Sequence, residues 1–182
     1  MSTPDLPITS FALLSLLTFG DELTGYELKQ RADNTMRFYW TAPAMSQVYT
    51  ELTRLTEHGL LRKQGEGRGT TYALTPAGRR AAEAWMRTGP VGFPVFKHPQ
   101  ALRLMTGHLT DPETLVRMLE DYVAEVIDAR ADLAAVRRSL EGRNARGQAF
   151  HYPSMVADWG LAHLDSELEI ARQTIKRLQE EE

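Results

Sequence analysis

The stretch YTELTRLTEHGLLRKQGEGRGTTYALTPAGRR, residues 49–80, runs through the signals for a helix, a strand, a glycine turn, a second strand and a second helix. Val48, Leu52 and Leu55, with Leu60 past His58, keep the three-to-four spacing that gathers apolar side chains on one helical face. Gly59 stops that helix, because glycine enters the left-handed conformation that a helix end often requires. Leu61–Gln64 and Thr70–Leu74 flank Gly65-Glu66-Gly67-Arg68-Gly69, a pattern that predicts two antiparallel strands with a glycine-rich tip. Thr75 and Pro76 restart a helix as N-cap and first helical residue. A basic two-stranded loop therefore follows directly on an amphipathic helix.

Upstream, ITSFALLSLLTF at 8–19 is almost wholly apolar and predicts a buried first helix ending at Gly20-Asp21. Thr24 with Glu27 three residues on forms a capping-box pattern that opens a second helix running to about Thr35. Leu28 and Ala32 would face inward there, with Lys29, Arg31 and Asp33 in water. Residues 36–43 read as a loop, and Pro43 suits the first turn of a third helix from about Ala44 to His58. The fourth helix runs from Pro76 to about Thr88.

TGPVGFPVFKHP, 88–99, has three prolines and two glycines and marks a boundary. A short helix over 99–108 follows, and Asp111-Pro112 opens a long one with apolar positions at Leu115, Met118, Tyr122, Ala129, Leu133, Val136 and Leu140. RNARGQ, 143–148, breaks it. The final helix carries Leu161, Leu164, Leu168, Ala171, Ile175 and Leu178 in a coiled-coil seam. That seam serves either an intramolecular pair of helices or a dimer arm. Symmetric association is common, and the expected interface of a homodimer is Leu161, Leu164, Leu168, Ile175 and Leu178. The expected fold is mainly α: a winged helix-turn-helix DNA-binding domain over 1–88, a linker over 89–99, and an α-helical, long-helix dimerisation domain over 100–182.

Composition narrows the chemistry. The 182 residues include no cysteine, which excludes disulfides, thiolate zinc sites and cysteine nucleophiles and suits a reducing compartment. No apolar run approaches the roughly 20 residues that span a bilayer. Phe11 to Phe19 also lacks a basic leader and a small-residue cleavage site, so a soluble, cytoplasmic protein without membrane association is expected. The net charge of −3 hides a local excess: residues 54–80 hold six basic side chains (Arg54, Arg62, Lys63, Arg68, Arg79, Arg80) against Glu57 and Glu66. Basic surface is thus concentrated on the hairpin and its flanks, where a phosphate backbone can be met.

Three helices, a basic hairpin and a fourth helix in this order form a winged helix-turn-helix, which sets its third helix in the major groove of double-stranded DNA and its hairpin along the backbone. Such a helix needs polar, compact outward residues, and Ser46, Gln47, Thr50 and Arg54 supply them. Gln47 can address adenine and Arg54 guanine or phosphate. Arg68 at the turn tip, with Lys63, Thr70 and Thr71 on the strands, is placed to contact phosphates, while Glu66 opposes this locally. An enzyme is not expected. His58, His98, His108, His151 and His163 form no H-E-x-x-H motif, no nucleophile elbow is present, and GEGRG lies between strands where a phosphate loop would lead into a helix. The scattered histidines predict no metal site, and no cofactor is expected. The remaining alternative is a winged-helix protein-interaction module that does not bind DNA.

ALLSLL at 12–17, TGYELK at 24–29, YTELTRLTEHGLL at 49–61 and YALTPAGRR at 72–80 together resemble the PadR family of bacterial transcriptional regulators. The carboxy-terminal half is similar to the helical dimerisation domain of the longer members. The resemblance implies a repressor acting as a homodimer on a pseudo-palindromic operator. It also places Tyr26 and Tyr49 at positions associated with backbone anchoring or with packing of helix two on helix three. Where the family often has proline after the tyrosine of helix three, this chain has Thr50, which restores an N–H and adds a hydroxyl. The resemblance further implies release by a small aromatic or amphipathic effector. Trp40, Trp85, Phe93, Phe96, Tyr122 and Trp159 are the candidate effector-binding residues, although aromatics at helical spacing are more often core than ligand pocket.

Overall fold

A computed structural model of the protein describes residues 6–20, 22–90, 92 and 97–180, and of Arg68 the backbone alone. The chain divides into two compact units, Met1–Gly92 and Phe93–Glu182.

The N-terminal unit is built on α1 (Ile8–Leu17), α2 (Gly25–Thr35), α3 (Met45–Glu57) and α4 (Pro76–Thr88). α1 carries no polar stripe because it is surrounded: Phe11, Leu13, Leu14, Leu16 and Leu17 are all buried, and Ser10 with them. Against it pack Leu28 and Ala32 of α2 and Val48, Leu52 and Leu55 of α3, each with at most 1% of its surface exposed. Ala81 and Ala82 of α4 close the cluster. Lys29, Arg31 and Asp33 are half-buried, with Lys29 paired to Asp33 one turn on.

The ends of these helices follow local chemistry. The Thr24 hydroxyl accepts the Glu27 N–H at 3.2 Å while Glu27 returns its carboxylate to the Thr24 N–H at 2.8 Å, a complete capping box. α3 ends at Gly59, whose φ of +67° is the left-handed value expected of a helix stop. Thr75 caps α4 by accepting the Gly78 N–H at 3.0 Å, with Pro76 as its first residue. Pro43 differs from expectation. It precedes the N-cap Ala44 instead of entering the first turn, because Gln47 reaches back to take the Ala44 N–H at 2.9 Å and fixes the start there.

β2 (Leu61–Gln64) and β3 (Thr71–Leu74) pair antiparallel with Leu61 opposite Leu74 and Lys63 opposite Tyr72. A third strand joins them: β1 (Leu23–Thr24) pairs with β3, giving the order β1-β3-β2. Two residues carry no periodicity, so this strand is silent in the sequence. Thr70 ends the tip instead of opening β3, since its hydroxyl donates to the Gly67 carbonyl at 2.9 Å across the short turn Gly67–Gly69.

The C-terminal unit contains α5 (Pro99–Leu104), α6 (Pro112–Ser139) and α7 (His151–Glu180). Asp111 caps α6 by accepting the Thr114 N–H at 2.7 Å. Ion pairs from Arg130 to Asp165 and from Arg137 to Asp158 rise on one helix as they descend on the other, so α6 and α7 are antiparallel. Gly160 lets them approach: a Cβ there would lie 2.7 Å from Leu133 Cδ2. Leu115, Leu119, Val126 and Leu133 of α6 and Ala157, Gly160, Leu168 and Ala171 of α7 are buried.

Candidate nucleic-acid interface

With its apolar face turned to the core, α3 leaves Ser46, Gln47, Tyr49, Thr50, Thr53 and Glu57 exposed and Arg54 half-buried. Tyr49, Thr50, Thr53, Arg54 and Glu57 line an open hollow of about 510 Å³ on this side. Thr53 and Glu57 were missed from the sequence, although they share the i, i+3, i+4 spacing of Thr50 and Arg54.

Several of these side chains are already engaged. Gln47 holds the Ala44 N–H, so one of its acceptor sites is taken by the helix end. The Thr50 hydroxyl donates to the Ser46 carbonyl at 2.9 Å. Thr50 is the sixth residue of α3, so the N–H that proline would lack lies past the first turn. Arg54 Nη1 donates to Glu51 Oε1 at 2.5 Å.

Tyr26 and Tyr49 lie at the α2–α3 junction and are 58% and 46% exposed. The Tyr49 ring lies over Gly25, where a Cβ would fall 2.7 Å from it. Tyr26 accepts from Gln30 at 3.2 Å and keeps most of its ring in water.

On the hairpin, Lys63 is exposed and Thr71 half-exposed, whereas Thr70 is turned inward with 7% exposure and its hydroxyl serves the turn. Thr70 therefore stiffens the tip and is not placed as an open phosphate donor. Arg62 pairs with Glu22, which lowers the free positive charge at the base of the wing. Gly65 and Gly67, at φ of +85° and +63°, bend the tip on either side of Glu66. The side chain of Arg68 lies outside the described residues.

The proposed effector aromatics fall in different places. Trp40 and Trp85 pack against the N-terminal core, Trp85 stacking on Phe11 at 5.3 Å with rings 7° apart. Tyr122 on α6 donates to the buried Glu167 at 3.0 Å, and burial followed by that carboxylate raises its phenol well above the usual range. Trp159 on α7 is 78% exposed. Phe93 and Phe96 lie outside the described residues. In the C-terminal unit, a cleft of about 330 Å³ between α5 and α6 is lined in part by Arg103, Arg117, Tyr122 and Glu125. Of the expected dimer seam, Leu168 is buried within the chain's own helical unit, and Leu161, Leu164, Ile175 and Leu178 are half-buried.

A three-helix core, a polar third helix and a wing beside it, continued by a pair of long antiparallel helices, define a winged helix-turn-helix fold with a helical C-terminal unit. Residues 13–84 match the transcriptional regulator PadR-like family. The PadR-like transcriptional regulator of Bacillus cereus superposes with a TM-score of 0.79 at 22% identity, over 95% of this chain and 99% of that one. Bacillus subtilis PadR in complex with operator DNA gives 0.79 at 18%, over 94% and 99%. The same protein in complex with p-coumaric acid gives 0.76 at 18%, over 95% and 99%. At these identities the likeness is one of fold. No curated protein matches the chain.

Proposed function

We propose that this protein is a homodimeric, effector-responsive repressor that inserts α3 into the major groove of a pseudo-palindromic operator and lays the β2–β3 wing along the adjacent backbone. One observation carries the reading: the outer side of α3 is polar and open, and the same unit carries the exposed Lys63 beside it on the wing. B. subtilis PadR, which shares the fold, is known with operator DNA and with p-coumaric acid. The contacting residues proposed are Ser46, Gln47, Thr50, Thr53 and Arg54 for base edges, and Lys63, Thr71 and Arg68 for phosphates. Tyr49 and Tyr26 hold the α2–α3 corner.

A dimer is supported by α7. Tyr152, Met155, Trp159 and Ile170 fall on one helical face and are 55% to 78% exposed, an apolar stripe left uncovered by the chain itself. The effector proposed is a small aromatic acid. Its carboxylate suits Arg103 and Arg117 in the cleft between α5 and α6, and its ring suits Tyr122. The two-unit division is proposed to separate reading head from dimer arm.

The test is anisotropy of a labelled duplex from the region upstream of the chain's own gene, titrated across salt. Tight binding that falls steeply on a log–log plot supports the reading. No binding above a random-sequence duplex at low salt removes it.

A further inference from the structure

The core of the N-terminal unit holds a carboxylate that packing alone does not call for. Glu51 sits on α3 beside Leu52 and Leu55 and is 7% exposed. Its Oε2 accepts from the hydroxyl of Ser10 on α1, itself wholly covered, and its Oε1 accepts from Arg54. A carboxylate taken out of water is a poor source of stability, because apolar side chains of similar volume hold a core as well or better. Arg54, by contrast, reaches the surface, with 38% of its side chain exposed in the hollow on the outer side of α3.

We infer that Glu51 is a positioning residue for sequence readout: through the Ser10–Glu51–Arg54 chain it sets the Arg54 guanidinium toward a base edge and away from the phosphates. The inference rests on the DNA-binding reading above. Two physical effects support it. A guanidinium presents five donors in a rigid plane. Anchoring one of them removes freedom that would otherwise be lost on binding and leaves the others preset for the paired acceptors of guanine. The adjoining negative charge also offsets the attraction of Arg54 for phosphate, which is the part of the affinity that carries no sequence information. Release of Arg54 then has a signature that a purely structural role lacks: poorer discrimination together with a steeper salt dependence.

The experiment uses the full chain, a duplex selected by the wild-type protein from a random pool, and a scrambled duplex of equal length. Glu51→Gln keeps an acceptor for Ser10 and removes the charge. The pair Ser10→Ala with Glu51→Leu replaces both buried polar partners and serves if the first variant folds poorly. The expected result is an affinity ratio, selected over scrambled, lowered about tenfold. The salt slope should steepen by about one. In an Arg54→Ala background the same changes should leave the ratio untouched, as a double-mutant cycle requires of a residue that acts through Arg54. A folded variant that keeps the wild-type ratio, or equal losses with and without Arg54, overturns the inference. Failure of the wild-type protein to select any duplex removes the DNA reading and this inference with it.

Discussion

Gly78, in the LTPAG segment, is owed to a single contact. A Cβ at this position would lie 2.0 Å from the carbonyl oxygen of Leu60, a backbone atom that cannot swing away. Alanine would gain about 1 kcal/mol of helix propensity. Overpacking at such a contact costs about 1–3 kcal/mol. Gly78→Ala is therefore expected to lower the denaturation midpoint, and an unchanged midpoint would contradict the contact. Gln47 has two duties, closing the α3 N-terminus and facing outward. Gln47→Ala should relax preference at one base position and trim stability slightly, whereas an equal loss at every base would leave it the capping role alone. Lys63→Ala and Arg68→Ala should weaken all sequences about equally and reduce the salt slope by about one each.

Helices and their ends carry the next predictions. The stripe of Tyr152, Met155, Trp159 and Ile170 on α7 faces away from the buried Leu168 and Ala171, so the two rows separate association from folding. Met155→Glu with Trp159→Glu should give a folded monomer by analytical sedimentation, with weakened operator binding. Leu168→Glu should instead lower the melting temperature, since it buries an unpaired charge. Two helix caps and one surface ion pair bear on the acid limit. The Thr24 backbone N–H, then its hydroxyl, holds Glu27 below its ordinary value; the Thr114 N–H, then its hydroxyl, does the same for Asp111; the Arg130 guanidinium does so for Asp165. Carboxyls depressed in the folded state contribute fully above their unfolded values and lose that contribution as pH falls through the folded ones. Thermal stability should thus hold through neutral pH and drop below the ordinary carboxylate range, and Asp111→Ala should flatten part of that drop.

Taken as one molecule, the protein is acidic, with a net charge of −3, yet residues 54–80, the wing and its flanks, hold six basic side chains against two acidic ones. Uniform charge would repel DNA, but screening confines each field to about 10 Å at 0.1 M salt, so the local patch governs the encounter. Operator affinity should therefore be strongly salt-dependent despite the sign of the whole chain. Two reading heads bound on one duplex would protect half-sites about 34 Å apart, one helical turn, in a footprinting experiment. If the α5–α6 cleft takes the carboxylate of the proposed aromatic effector, Arg117→Ala should weaken effector binding in a calorimetric titration and leave the melting temperature unchanged.

Adjacent residues were enough to reveal the helix starts at Thr24, Thr75 and Asp111, the stop at Gly59, the inward rows of α2 and α3 and the basic hairpin. Each of these depends on side chains within about four positions of one another, and their hydrogen bonds and φ preferences are local. Other features arise only where distant parts of the chain meet. β1 becomes a strand because Leu23 finds Tyr72. Glu51 is buried because Ser10 lies beneath it, 41 positions away. The leucines of α7 share one face in the sequence, which suits either an intramolecular pair or a dimer arm, and it is α6 that buries Leu168 while Tyr152, Met155, Trp159 and Ile170 stay in water. Periodicity tells which side chains share a face; only the packing of remote elements determines which face is covered.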